Sequence, residues 1–439
     1  MLGAWRERIA AKLPKNRVAR GIITLASGTA IAQVVTICAM PIVTRLYTPA
    51  QIGVISLFLA YFGFWAATLS LRYEFALLIC KDDAESHLVY RLAVISVVVM
   101  SLLGIPVLWM LRWAGVLGFG LLPEWAPLAA APILLGYGLF MVNRSWALRA
   151  GIINEITSAS VARSIATAGA RILLGAMGGG VFALFAAELG GAWGAMLRLL
   201  RKVHANYSKS RPEKITRHDL MSVAKRYIKF PTLETPSSWL NQLTLALPLP
   251  IIASTHGVTA AGWFGLARSL VAIPNTQIGG AVADVLQMEI AHALRKNAVH
   301  DARKLFYGLM RRLALFGLVP MIAAVVLAPS LMSVIFGSKW APAGMAAAII
   351  APWFYIALVV SALSRVLSVF QAQEYKFIYD ILSVSSMAVV YEYGQSTGTS
   401  LMMLIFWLSI AGIISYLIYL YLIVKVVNKR LRNADGHRT

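Results

Sequence analysis

Apolar stretches long enough to cross about 30 Å of hydrocarbon recur along the whole chain, separated by short polar turns. They fall near 21–44, 54–72, 87–111, 125–148, 157–177, 180–199, 236–255, 260–288, 306–335, 342–368, 377–392 and 399–424. The pattern predicts an all-α integral membrane protein of about twelve transmembrane helices. Polar segments divide it further. A basic N-terminus (1–20) precedes a first group of six spans (21–199), a basic loop (200–235), a second group of six (236–428) and a tail (429–439).

Composition agrees with that pattern. The 439 residues are 59% hydrophobic and 13% charged, with a mean hydropathy of +0.72, beyond what a water-soluble core-and-surface protein sustains. The formal net charge of +22 would raise nucleic-acid binding in a soluble chain. In a membrane chain it sets orientation instead. One side receives the N-terminal run from Arg6 to Arg20, Lys81, Arg91, Arg149, Arg295, Lys296, Arg303, Lys304, Lys376, Lys425 and Lys429, and the loop from Arg201 to Lys229. The other side has little beyond Arg45, Arg112 and Lys339. Both termini are therefore expected in the cytoplasm, and the stretch after the N-terminal basic run reads as a retained first span, not a signal peptide. Cys38 and Cys80 lie in or beside apolar runs and imply neither a disulfide framework nor a metal site.

The long basic loop near the middle of the chain invites a search for a repeat. An offset of 209 residues places Pro41-Ile42 on Pro250-Ile251, Gly53 on Gly262 and Leu57 on Leu266 without a gap. Each piece is the end of an odd-numbered span, a turn, and the start of the next span. Equal topology in both halves predicts two six-helix lobes facing each other across a central cavity.

No Gly-x-x-x-x-Gly-Lys-Ser/Thr loop is present and no region is large enough for a nucleotide-binding domain, so ATP-driven transport by this chain alone is not expected. Gly178-Gly179-Gly180 reads as a tight hairpin between spans. The cluster Lys81-Asp82-Asp83-Ala84-Glu85 reads as a helix start, with Asp83 and Glu85 at the positive end of the dipole, in preference to a magnesium-diphosphate site. More informative are arginines in or beside spans: Arg45, Arg72, Arg144, Arg163, Arg171, Arg268 and Arg365. A guanidinium in hydrocarbon is costly unless it faces a protein interior or a wet cavity. For Arg149, Arg311 and Arg312, near span ends, snorkelling to the interface is the favoured reading. Carboxylates in spans, Glu74, Glu188, Asp284 and Glu289, are candidate ion-coupling groups or arginine partners. The arginine excess predicts a cationic cavity suited to a diphosphate, with Arg163, Arg171, Arg268 and Arg365 lining it and Arg45 and Arg72 guarding its ends.

At this point the residues resemble a known family, the O-antigen, capsule and exopolysaccharide flippases of the multidrug/oligosaccharidyl-lipid/polysaccharide exporter superfamily. The resemblance rests on Thr44-Arg45-Leu46-Tyr47-Thr48-Pro49 running to Gly53, on Arg72-Tyr73-Glu74-Phe75-Ala76, on Trp146 through Arg149 and on Ser158 to Gly175. In the second half it rests on Phe230-Pro231, on Gly262 to Pro274, and on Ile335-Phe336-Gly337-Ser338-Lys339-Trp340-Ala341-Pro342-Ala343-Gly344. It spans roughly 20–425. It implies two six-helix lobes in pseudo-twofold relation, in a bacterial inner membrane, and transport of an undecaprenyl-diphosphate-linked oligosaccharide between leaflets by alternating access. The driving force would be an ion gradient or the membrane potential, and no cofactor is implied. Membrane lipids, a polysaccharide polymerase and a chain-length regulator are further expected partners. The turns with Thr48, Pro49 and Gly53 and with Thr259 and Gly262 would gate the passage. The tail ends soon after span twelve, which disfavours the fourteen-helix peptidoglycan-precursor flippases. Two rivals are a drug or cation exporter of the same superfamily, which would want an acidic cavity, and a membrane polysaccharide polymerase, which would want a large periplasmic loop.

Overall fold

The computed structural model describes residues 17–207, 216–275, 279–296 and 298–436. The basic run before Arg17 and the loop residues around Lys209 lie outside the described residues. The rest is helical, with no strand among the described residues. In chain order the main helices are α1 (Arg17–Leu46), α2 (Pro49–Ala66), α3 (Asp83–Trp113), α4 (Ala126–Arg149), α5 (Ile153–Ala176) and α6 (Gly180–Tyr207). After a short helix at Arg217–Arg226 come α7 (Thr235–Ala246), α8 (Pro248–Val271), α9 (Gly280–Arg295), α10 (Val299–Phe336), α11 (Ala341–Ser364), α12 (Glu374–Thr397) and α13 (Leu401–Gly436).

These pieces make about twelve spans. At Gly257 the backbone turns to φ 79° and ψ 177°, a conformation glycine adopts without steric cost. Span seven, begun in α7, ends there, and the rest of α8 begins span eight. Span eight is not the single helix expected over 260–288. Among the described residues α8 ends at Val271, ahead of Pro274, and α9 begins at Gly280. Span two also starts earlier than 54–72. Thr48 and Gln51 form a capping box ahead of Pro49 at the first helical position, which starts α2 there. The chain from 67 to 82 then leaves the helix and makes turns around the short helix Tyr73–Ala76. The loop expected over 200–235 is largely helical, because α6 runs on to Tyr207 and Arg217–Arg226 is capped by Thr216.

The twofold relation appears in the helix pairs. Spans one and five, three and four, four and six, and five and six pack in the first half. Their counterparts seven and eleven, nine and ten, ten and twelve, and eleven and twelve pack in the second. Span two packs on span eight, its own counterpart, and joins the lobes. There a Cβ on Gly53 would lie 1.7 Å from the Val258 carbonyl oxygen, and one on Gly262 would lie 1.9 Å from that of Pro49. The offset of 209 carries Pro49 to Val258 and Gly53 to Gly262, so the two contacts are one contact repeated by the pseudo-twofold axis. Outward faces are apolar. Val319 and Val334 of α10 are 70% and 73% exposed, which fits a lipid-facing surface.

Among the described residues, nine helices are long and apolar enough to cross a membrane by length and composition, one of them, Phe230–Val271, carrying the bend at Gly257. Helices α5 and α12 fall short of that measure. They are spans five and eleven, equivalent in the two lobes.

A cationic cavity between the lobes

On α5, Ser160, Arg163, Ser164, Thr167 and Arg171 recur at intervals of three, four and seven, which puts them on one stripe of the helix. That stripe lines a cavity of about 390 Å³, bounded on its other sides by Thr29, Thr36 and Glu188. Arg171 and Met40 also line a second cavity of about 340 Å³, where span two meets span eight and Arg268, Ser269 and Gln242 enter. Gly63 and Gln242 are shared in turn with a third, about 230 Å³, reached by Arg72 and Glu74. Four of the arginines read from the sequence therefore share one chain of cavities: Arg72, Arg163, Arg171 and Arg268.

Their partners differ. Arg171 donates from Nη2 to Glu188 Oε1 at 2.5 Å, and its own carbonyl accepts from the Tyr47 hydroxyl at 2.7 Å. Arg72 lies 3.6 Å from Glu74, whose carboxylate also accepts from the Ser70 hydroxyl. Leu71 and Arg72 both adopt positive φ, 49° and 64°. Left-handed backbone at two consecutive non-glycine residues carries strain of order 1–3 kcal/mol each, and it occurs where the chain leaves span two. The Arg163 guanidinium sits 4.8 Å from the centre of the Tyr137 ring. Neither Arg163 nor Arg268 has an ion-pair partner among the described residues. The Nε atoms of Arg72 and Arg171 are buried without a hydrogen-bond partner among the described residues. Four guanidinium groups face two carboxylates, so two positive charges are in excess.

Residues 42–345 match the family described as polysaccharide biosynthesis protein, more than half of the chain. The chain belongs to that family. No curated protein matches it. Among solved structures, an inward-facing multidrug resistance MATE family transporter of the MOP superfamily is similar with a TM-score of 0.69 and 14% identity, over 92% of this chain and 96% of that one. The lipid II flippase MurJ in an inward closed conformation is similar with a TM-score of 0.67 and 13% identity, over 94% and 90%. An outward-facing MATE family transporter gives 0.57 and 15%, over 94% and 96%. These likenesses establish a fold shared by transporters and flippases, and the chain is a multi-pass membrane protein of that fold.

Other family members' roles aside, the remaining arginines of this chain lie elsewhere. Arg365 stands exposed at the far end of α11, 3.9 Å from Asp284, and lines none of the three cavities. The expectation that it joins Arg268 is therefore not met, because it lies at the end of its helix beyond the cavity wall. Arg144 is half-buried on α4 and lines none of them either. Arg45 is exposed, and its carbonyl oxygen accepts from the Lys339 ammonium at 3.4 Å. Glu289 is exposed on α9. Arg149 does not snorkel. It donates to the carbonyls of Leu77, Cys80 and Asp82 at 3.3, 2.9 and 3.1 Å, holding the segment between spans two and three. The cap of α3 is Asp82, which accepts from the Glu85 amide at 2.7 Å, while Glu85 pairs with Arg226 at 2.5 Å.

The turns expected to gate the passage meet loops of the opposite lobe. The Trp340 indole, fully buried, donates to the Thr44 carbonyl at 2.9 Å, and the Lys339 ammonium donates to that of Tyr47 at 2.7 Å. In the mirror position Gly118, at φ 75°, lies so close to Ala253 and Ser254 that a Cβ would meet the Ser254 nitrogen at 2.7 Å. The offset of 209 relates Thr44 to Ala253. Each lobe thus seats a loop on the other's turn, and this end of the cavity is shut.

One polar group was missed in reading the sequence. Lys376 and Asp380, a turn apart on α12, pair at 2.7 Å, and Lys376 reaches Asn241 of α7 at 3.0 Å. Their spacing of four is a legible signal. The hydropathy pattern hides it, because Lys376 falls just before the apolar run of span eleven and Asp380 within it.

Proposed function

We propose that this protein moves a polyprenyl-diphosphate-linked oligosaccharide from the cytoplasmic to the periplasmic leaflet of a bacterial inner membrane by alternating access. The reading is carried by the excess of two guanidinium charges along a chain of adjoining cavities, with Arg163 in one walled by the first lobe and Arg268 in one lined from both lobes. A diphosphate diester bears two negative charges, and removing them from water is costly unless fixed donors replace the solvent. Arginine suits the task because it stays charged and presents paired donors to two oxygens. The polar stripe of α5 adds hydroxyls for sugars. The family described as polysaccharide biosynthesis protein, and a lipid II flippase among the similar folds, support the same substrate class. With the turn end shut, the cavity faces the end that carries both termini, the cytoplasmic end by the charge asymmetry. An ion gradient or the membrane potential supplies the drive.

The test is flipping of an isotopically labelled polyprenyl-diphosphate-linked oligosaccharide in proteoliposomes, scored by access of an added glycosidase to the outer leaflet. Arg268→Ala and Arg163→Ala each lower the initial rate at least tenfold, while the detergent-solubilised protein keeps its elution profile. Wild-type protein that leaves the labelled lipid unmoved but exchanges an organic cation would replace this reading with the exporter.

A further inference from the structure

At the end of the molecule that carries both termini, α10 and α13 lie side by side and leave a cleft of about 700 Å³ between them. Its wall holds Arg303 and Tyr307 from α10, and Lys425, Asn428, Lys429 and Arg432 from α13. Tyr307 donates to the Asn428 side-chain oxygen at 2.8 Å, which ties the two walls together. No carboxylate lines the cleft, and none of its four cations has an ion-pair partner among the described residues. From this geometry we infer that the cleft is a binding site for the phosphate headgroup of an anionic glycerophospholipid of the surrounding bilayer.

Two simpler accounts of the charges are insufficient. Cations are stabilised at a helix C-terminus by its dipole, within about the last turn. Lys425 lies eleven residues before the end of α13, outside that reach, and Arg303 stands near the N-terminus of α10, where the dipole is unfavourable to it. Orientation by positive charge needs lysines and arginines near span ends, but it does not require them to converge. Here they converge. On α13, Lys425, Asn428, Lys429 and Arg432 form one exposed stripe, while Ile423, Val426, Val427 and Leu431 on the other face are buried. Four like charges around one cleft repel each other, and an anion among them relieves that repulsion.

The depth fits a lipid headgroup. The apolar run of α13 is first interrupted at Lys425 and gives way to polar and charged residues after Val427, so the cleft sits at the level where hydrocarbon meets headgroups. Tyr421, 64% exposed, stands one turn further into the apolar zone, where an aromatic ring with a polar tip belongs. Beyond it Leu417 and Ile414, 46% and 51% exposed, continue the same side of the helix as a track for acyl chains. A free phosphate would use the cations and leave that track bare.

Native mass spectrometry of the purified full-length protein, titrated with phosphatidylglycerol, cardiolipin or phosphatidylcholine of matched acyl chains, tests the assignment. The wild type retains the two anionic lipids at least fivefold better than phosphatidylcholine. The variant Arg303→Gln/Lys425→Gln/Lys429→Gln loses that preference, whereas Arg217→Gln/Lys225→Gln/Lys229→Gln, which removes as many charges from the segment joining the lobes, keeps it. Equal loss in both variants would reduce the effect to net charge and overturn the site. Displacement of bound anionic lipid by millimolar inorganic pyrophosphate would show that the cleft takes a free anion, and would overturn the lipid assignment. A triple variant that fails to elute as a folded protein is replaced by Lys425→Gln/Lys429→Gln, on one solvent-exposed stripe, under the same criteria.

Discussion

Arg171 and Glu188 face each other across the cavity wall with side chains 21% and 9% exposed, and the consequences of breaking them apart are unequal. Removing the arginine strands a carboxylate in a site with little water, a loss of roughly 3–5 kcal/mol for a buried pair. Removing both charges leaves no stranded ion. Arg171→Leu should therefore lower the midpoint of thermal unfolding in detergent by several degrees, and Arg171→Leu/Glu188→Leu should recover most of it. Transport should stay impaired in both, because the substrate loses a donor either way. A double variant as unstable as the single one would show that the pair is not what holds α5 to α6. By contrast, Arg268 has no carboxylate to strand. Its replacement should cost transport without a matching loss of stability, and that contrast separates an arginine that also holds two helices together from one that does not.

Among the helices, the decisive contact is that of α2 with α8. Gly53 and Gly262 let the two backbones touch, and any Cβ there collides with a carbonyl oxygen less than 2 Å away. A carbonyl of a helix cannot yield as the tip of a side chain can, so the helices must separate. Overpacking of this kind costs roughly 1–3 kcal/mol, here charged only to the state in which this end is shut. Gly53→Val and Gly262→Val should each raise amide exchange over 258–262 and over 49–53, and each should abolish alternation. Unchanged exchange in both variants would mean the contact is not part of the resting state. The repeat at the same offset is visible in a handful of identities, which align Gly53 with Gly262. What no pattern gave was that each glycine touches the other repeat's turn.

For the whole molecule, alternating access requires the shut end to open. The two lobes meet there through α2 and α8, through Trp340 on Thr44, and through Gly118 on Ala253 and Ser254. All of these contacts must part together, which makes the closure a two-position device and not a gradual one. With Cys38 and Cys80 replaced, cysteines at Thr48 and Thr259 should be joined by a short membrane-impermeant bismaleimide added from the periplasm, and joining them should stop export. Joining only after the inner membrane is permeabilised would reverse the proposed orientation. Complete joining with export intact would exclude these turns as the gate.

The sequence by itself determined the class of the molecule, the number of its spans, and the existence of a repeat. Those depend on counts that run along the chain: apolar residues enough to cross hydrocarbon, cations gathered in alternate loops, a fixed offset between halves. It also singled out Arg163, Arg171 and Arg268, because a charge within an apolar run must have somewhere polar to face. The tertiary structure decided where each charge faces. Arg365 and Arg268 look alike in sequence, each within or beside an apolar run, yet one stands exposed by Asp284 and the other enters the space between the lobes. Arg149 satisfies buried carbonyls instead of reaching for the interface. Lys376 and Asp380 become a bridge to Asn241 only when α12 packs against α7. The hydrophobic pattern fixes that a helix crosses the membrane, whereas its rotation about its own axis is set by the neighbours it packs on, and that rotation assigns every polar residue its partner.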